Sequence, residues 1–290
     1  MDAAIVAAEF RRIFEVTRDT PRLARAQRTG QVDSSRIALV GGGSTRVFAQ
    51  HQRQAVPTVA GSLAICTSLC DLDVLEQEDQ HRNWAAALPD ARGDKYRAAL
   101  ARVAAYRATI ETLHACAVAA HLPVRIFATA WDKAHTPGAV ERRVVETPKA
   151  LWALTPINSW LRQRECIQMA EEWHQWLGTG AGRRVTLLVT QLSEVRSPEA
   201  CQKRDAYLRE LAETASTVAG WTRHSRFYAV GVDLPNMVAT GGLWGQNVEY
   251  GVHNHFRACF PAGVRYLLES QPDLPRILRE IAAQIGRGGR

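Results

Sequence analysis

Residues 185–190 read VTLLVT and residues 226–234 read RFYAVGVDL. Both are short apolar runs rich in β-branched and aromatic side chains, the composition of a strand. Between them, residues 203–220 carry Tyr207, Leu208, Leu211, Ala215 and Val218 at helical spacing. Strand, helix and strand in that order make a unit whose two strands run parallel.

The same alternation extends towards the N-terminus. VRIFATA at 124–130 is another strand, and residues 96–121 before it place Tyr96, Leu100, Val103, Ile110, Leu113 and Ala117 on one helical stripe. IALV at 37–40 is a continuous apolar run that ends in Gly41-Gly42-Gly43 and reads as a strand buried on both faces. A last helix is predicted over roughly 274–285. Strands alternating with helices predict an α/β domain: a three-layer sandwich around a central, mostly parallel sheet. Ligands of such sheets bind beyond the carboxyl ends of the strands, so the residues just after each strand are the informative ones. The first residues, MDAAIVAAEFRRIF, read as an amphipathic helix and not as a signal peptide. This predicts a helical N-terminal extension over 1–35 and an α/β domain over 36–290. Residues 133–165, with three prolines and the tryptophans Trp152 and Trp160, are expected to be an insertion covering one side of that domain.

Composition narrows the classes. Among 290 residues, 46% are hydrophobic and 22% charged, which excludes disorder, collagen and coiled coil for the bulk of the chain. No apolar run reaches the roughly 18–20 residues that span a bilayer. The formal charge of +7 permits an anionic partner, but the basic residues are spread out and form no arginine block. Six cysteines stand at 66, 70, 116, 166, 201 and 259; the closest pair is CxxxC, with no second pair to complete a zinc site. Dispersed cysteines of this kind are expected to be buried thiols in the cytoplasm or another reducing compartment.

The turn Val40-Gly41-Gly42-Gly43-Ser44-Thr45-Arg46 lets backbone amides approach a ligand at a helix start. It lacks the lysine of a phosphate-binding GxxxxGK[ST] loop and the spacing of a dinucleotide GxGxxG. Two readings stay open. Ser44 is a nucleophile at the strand tip, or it simply caps the following helix. Trp173-His174-Gln175-Trp176, in helical phase with Met169 and Leu177, reads as a core or insertion contact, and DLDVLEQED at 71–79 as a solvated helix face.

Residues 249–263 run Glu-Tyr-Gly-Val-His253-Asn-His255-Phe-Arg-Ala-Cys-Phe-Pro-Ala-Gly263, followed by Val-Arg-Tyr-Leu-Leu-Glu, read here as a helix. GVH followed by PAG and a C-terminal helix resembles the last motif of the SGNH/GDSL hydrolases. ALVGGGSTR resembles that family's opening motif, and IFATAWD is similar to a strand of its PC-esterase branch. The resemblance covers about 36–270. It implies an SGNH-type fold and a serine esterase or acyltransferase acting on a small acyl ester. Ser44 would be the nucleophile, His253 the base with His255 as alternative, and Glu249 the orienting acid. Gly43, Gly61 and Thr129 would surround the oxyanion. No metal and no organic cofactor is implied.

The sequence departs from the family at several of these points. The family's GDS is Gly42-Gly43-Ser44, its oxyanion asparagine has no match near Thr129, and Glu249 stands four residues before His253 where the family's acid stands three before. These departures motivate a contrasting reading, an inactive relative whose basic surface binds nucleic acid or a larger assembly.

Overall fold

A computed structural model describes residues 2–15, 61–68, 78–88, 91–131, 140–154, 163–177, 183–190, 226–233, 238–241, 247–250, 256–257 and 260–287. In chain order these form α1 (Ala3–Glu15), β1 (Gly61–Ser68), α2 (Glu78–Ala87), α3 (Ala91–Ala119) and β2 (Val124–Trp131). Then come β3 (Val140–Val145), α4 (Pro148–Trp152), α5 (Gln163–Trp176), β4 (Arg183–Thr190) and β5 (Arg226–Val232). The last are β6 (Val238–Gly241), β7 (Asn247–Tyr250), β8 (Arg265–Leu268), a 3₁₀ turn (Gln271–Asp273) and α6 (Leu274–Arg287). The predicted strand at 37–40 and helix at 203–220 lie outside the described residues.

Six strands make one sheet in the order β3-β2-β1-β4-β5-β8, and β6 pairs with β7 in a separate two-stranded ladder. All neighbours in the large sheet are parallel except β3, which runs antiparallel to β2. The protein is therefore an α/β protein with a mostly parallel sheet, as the alternating pattern predicts.

Successive strand side chains point to opposite faces, so each strand feeds two cores. Leu63 and Ile65 of β1 join Val185, Leu187 and Val189 of β4 and Val230 and Val232 of β5, under α1, α3 and α6. The intervening Ala64, Cys66, Leu188, Phe227 and Ala229 join Cys166, Ile167 and Ala170 of α5, with Phe256 and Phe260. Full burial of each large aliphatic or aromatic side chain contributes about 1.5–3 kcal/mol.

The N-terminal helix is part of this core rather than an extension of it. Val6, Phe10, Ile13 and Phe14 recur at i, i+4, i+7 and i+8, and all four are buried. Glu9 on the same helix binds Arg279 of α6 at 3.1 Å. The helix ends are tied to the amino edge of the sheet by two arginines. Arg183 at the start of β4 donates to the Ile13 carbonyl at 2.7 Å, and Arg226 at the start of β5 donates to the Ile285 carbonyl at 3.0 Å. Terminal helix carbonyls lack intrahelical donors and carry partial negative charge, so a guanidinium there serves both needs. Burial, with help from neighbouring Arg226, lowers the Arg183 pKa to about 10, so it stays charged at neutral pH.

Two further expectations need correction. Part of the supposed insertion at 133–165 belongs to the sheet itself, since β3 forms its edge through pairs running from Ile126↔Val145 to Trp131↔Val140. Residues 264–269, read as a helix, instead hold β8, whose Tyr266 and Leu268 face the first core. Leu267 between these two packs on the second core, and pairing to β5 decides the matter.

Candidate functional site

The order of the sheet reverses between β1 and β4. From β1 the chain proceeds outward to β2 and β3; it then returns to β4 and proceeds the other way to β5 and β8. In a doubly wound sheet a crevice opens at that point, outside the carboxyl ends of the two central strands. Here that point lies at the carboxyl ends of β1 and β4, at Thr67 and Ser68 of β1 and Thr190 of β4, with Thr67 registered against Val189. Thr67 and Thr190 are both buried, so their hydroxyls need partners.

Thr67 finds its partner on α3, where its Oγ1 hydrogen-bonds the Tyr106 hydroxyl. Tyr106 is braced from behind. Thr147 caps α4 by accepting from the Ala150 amide at 3.2 Å, with Pro148 in the first turn where its missing N–H costs nothing. This cap fixes Trp152, whose ring lies 6.0 Å from that of Tyr106 and whose Nε1 donates to Glu111 at 3.0 Å. Arg107 sits over the same indole at 5.5 Å. From the other side of the sheet, Cys66 Sγ donates to the Cys166 carbonyl at 3.5 Å and Cys166 Sγ to the Thr67 carbonyl at 3.4 Å. Burial, with Cys166 and Glu171 nearby, pushes the Cys66 thiol well above its ordinary pKa, so it is a neutral packing group and no nucleophile. Cys66, Cys116 and Cys166 are free and buried, as dispersed thiols were expected to be.

A second polar cluster lies at the amino half of the sheet, and the sequence reading missed it. Ser62 Oγ is 2.8 Å from His174 Nδ1, and His174 Nε2 is 3.2 Å from Thr186 Oγ1. All three side chains are buried. A serine within hydrogen-bond reach of an imidazole is the opening of a nucleophile–base arrangement. Here the third member is a hydroxyl instead of a carboxylate, and nothing can approach Ser62. The cluster therefore satisfies a buried histidine and docks α5 on the sheet. Burial, with the Arg184 charge beside it, lowers the His174 pKa to about 4, against the pull of a backbone hydrogen bond with Val185. The imidazole is neutral at pH 7. His174 was read as a core contact, and it is one; Trp173 beside it packs on Phe127 at 5.7 Å, whereas Trp176 is 80% exposed.

Ser44, Gly43, His253 and His255 lie outside the described residues. Thr129 lies at the carboxyl end of β2, registered against Ser68. Glu249 belongs to β7 and pairs with Ala239 of β6, outside the six-stranded sheet. Gly61 is a correction. The resemblance put it beside the oxyanion with Thr129, but it is the first residue of β1, at the amino edge. At about 3.3 Å per residue, the length of β1 puts it roughly 23 Å from Ser68 and its neighbour Thr129. Its lack of a side chain has a packing reason: a Cβ there would lie 2.7 Å from the Arg183 carbonyl oxygen and 2.7 Å from Phe14 Cδ1. Gly61 and Thr129 cannot serve one oxyanion.

No family model and no curated protein matches the chain, so the assignment of a site rests on this geometry. Among the described residues, no helix is long and apolar enough to cross a membrane.

Proposed function

We propose that this chain is a non-catalytic binding domain that takes a polar ligand at the carboxyl edge between β1 and β4. The observation that supports this reading is the reversal of strand order at those two strands, with Thr67 and Thr190 at the edge. Thr67, Tyr106 and Thr190 are buried just beneath that edge, with Tyr106 held against Thr67, and would give the crevice a polar floor, which favours a polar ligand over an apolar one.

Two supports of the hydrolase reading are weakened. Gly61 stands at the opposite edge, and the segment after Pro261-Ala262-Gly263 is a strand where the motif calls for a helix. The positive charge also has internal uses. Arg183, Arg226 and Arg265 bind backbone carbonyls, while Arg12, Arg97, Arg125, Arg276 and Arg279 pair with carboxylates. Net charge therefore gives little support to a nucleic-acid surface among the described residues, and the crevice is the better candidate.

The test has two arms. Wild type and Ser44→Ala are assayed on an activated acetyl ester, and equal background rates are expected. Turnover that is lost in Ser44→Ala would restore the serine esterase or acyltransferase reading, since losing a nucleophile costs on the order of 10⁶-fold in well-studied triads. The second arm is a thermal-shift panel of nucleotides and sugar phosphates. A stabilising compound should lose its effect in Thr190→Val. Stabilisation unchanged in that variant would place the ligand elsewhere.

A further inference from the structure

β8 ends the sheet, and one side of its backbone pairs with no strand among the described residues. The Val264 carbonyl accepts from the Ala229 amide and the Leu268 carbonyl from the Asp233 amide, each at 2.7 Å. In a strand the N–H and C=O of one residue point the same way and alternate along the chain, so the even-numbered positions face β5. Arg265 and Leu267 therefore present their N–H and C=O groups away from β5. A cavity of about 610 Å³ adjoins this end of the strand, lined by Leu267 and Glu269 together with Arg257 and, from α6, Glu280 and Gln284.

The opposite edge strand is blunted. β3 carries Glu141-Arg142-Arg143 in its middle, charges of the kind that discourage pairing. β8 reads Arg265-Tyr266-Leu267-Leu268, with no such guard at its centre.

We infer that β8 pairs antiparallel with β8 of a second copy, so that two six-stranded sheets join into one across a two-fold axis. The occupant is set by complementarity. With Leu267 on the axis, the outward-facing backbone groups of the two strands meet as hydrogen-bonded pairs, and each Arg265 stands opposite the partner's Glu269. Opposite charges in direct cross-strand register stabilise such a pair. Arg265 is preset for this, because its Nη1 donates to the Arg257 carbonyl at 2.9 Å and the Phe260 carbonyl at 2.7 Å, which holds the guanidinium at the edge. Glu269 is exposed and has no ion pair among the described residues. The interface is isologous, so each contact occurs twice and the assembly closes at two copies.

Sedimentation equilibrium of the full chain at low salt should give twice the 32.1 kDa chain mass, with a dissociation constant that rises with salt as the exposed ion pairs are screened. Glu269→Arg places like charges opposite Arg265 at both symmetric positions and should raise that constant about tenfold or more. Leu267→Pro removes an N–H that β5 does not use, so it should give a monomer whose circular dichroism stays that of wild type. A wild type that sediments as a monomer at all concentrations up to tens of micromolar overturns the inference. So does a dimer that persists unweakened in both variants.

Discussion

Acid should unfold this protein through one imidazole. His174 is buried between Ser62 and Thr186, and its pKa is about 4 in the folded chain against 6.5 for an unperturbed histidine. Because the folded value is the lower one, the unfolded chain binds more protons between these limits. Stability is therefore complete above about pH 6.5 and is lost as the pH falls towards 4. A shift of one unit is about 1.4 kcal/mol, so the two values give a loss of about 2 kcal/mol by pH 5 and about 3 kcal/mol by pH 4. The control is His174→Gln, which keeps a donor and an acceptor near Ser62 and Thr186 but cannot titrate. Urea unfolding of both proteins at a series of pH values from 7.5 to 4 isolates the contribution. Other carboxylates and histidines titrate in both proteins and cancel in the difference. Wild type should be the more stable at pH 7.5, and its advantage should shrink by about 3 kcal/mol at pH 4. Two stability curves that stay parallel throughout would show that His174 is solvated or charged in the fold, and the buried-cluster argument would fail.

Two further outcomes concern the contact between α1 and β1. Gly61→Ala should destabilise by about 1–3 kcal/mol, read from the urea midpoint, because the added methyl meets a backbone carbonyl and the Phe14 ring. Phe14→Ala should cost about 3–5 kcal/mol, and the double variant should be less damaged than the two single losses together, since deleting the ring removes one of the two clashes.

The fold class was legible because its signal is local. VTLLVT, RFYAVGV and VRIFATA are each long enough to show strand character, and they became β4, β5 and β2. The helix expected over 96–121 was found as Ala91–Ala119, and the one over 274–285 as Leu274–Arg287. Where partners decide, the sequence was silent. The apolar stripe of α1 is visible in Val6, Phe10, Ile13 and Phe14, but amphipathicity does not say what a helix packs on, so a core element was read as an extension. Gly61 has the same cause: its requirement for no side chain is imposed by Phe14 and Arg183, which are far away in the chain. β8 has four residues, too few for period two to overcome the pull of the PAG motif before it. Ser62 and His174 are 112 positions apart, and no spacing rule joins them. Among the described residues singled out for chemistry, Thr129 lies at the strand edge where a ligand of this sheet is expected, and Gly61 does not.

The meeting of α1 with α6 also has a consequence for how the chain is made. Glu9 and Arg279 bond across 270 positions, and the helices that carry them cover the same face of the sheet. During synthesis α1 leaves the ribosome long before its partner exists. Until then Phe10 and Phe14 lack the far wall of their pocket, and the growing chain must carry an exposed apolar helix. Contacts at such separation are closed late and slow the overall rate. A chain stalled before α6 would hold most of its strands and still display that helix, as a handle for chaperones and a seed for aggregation.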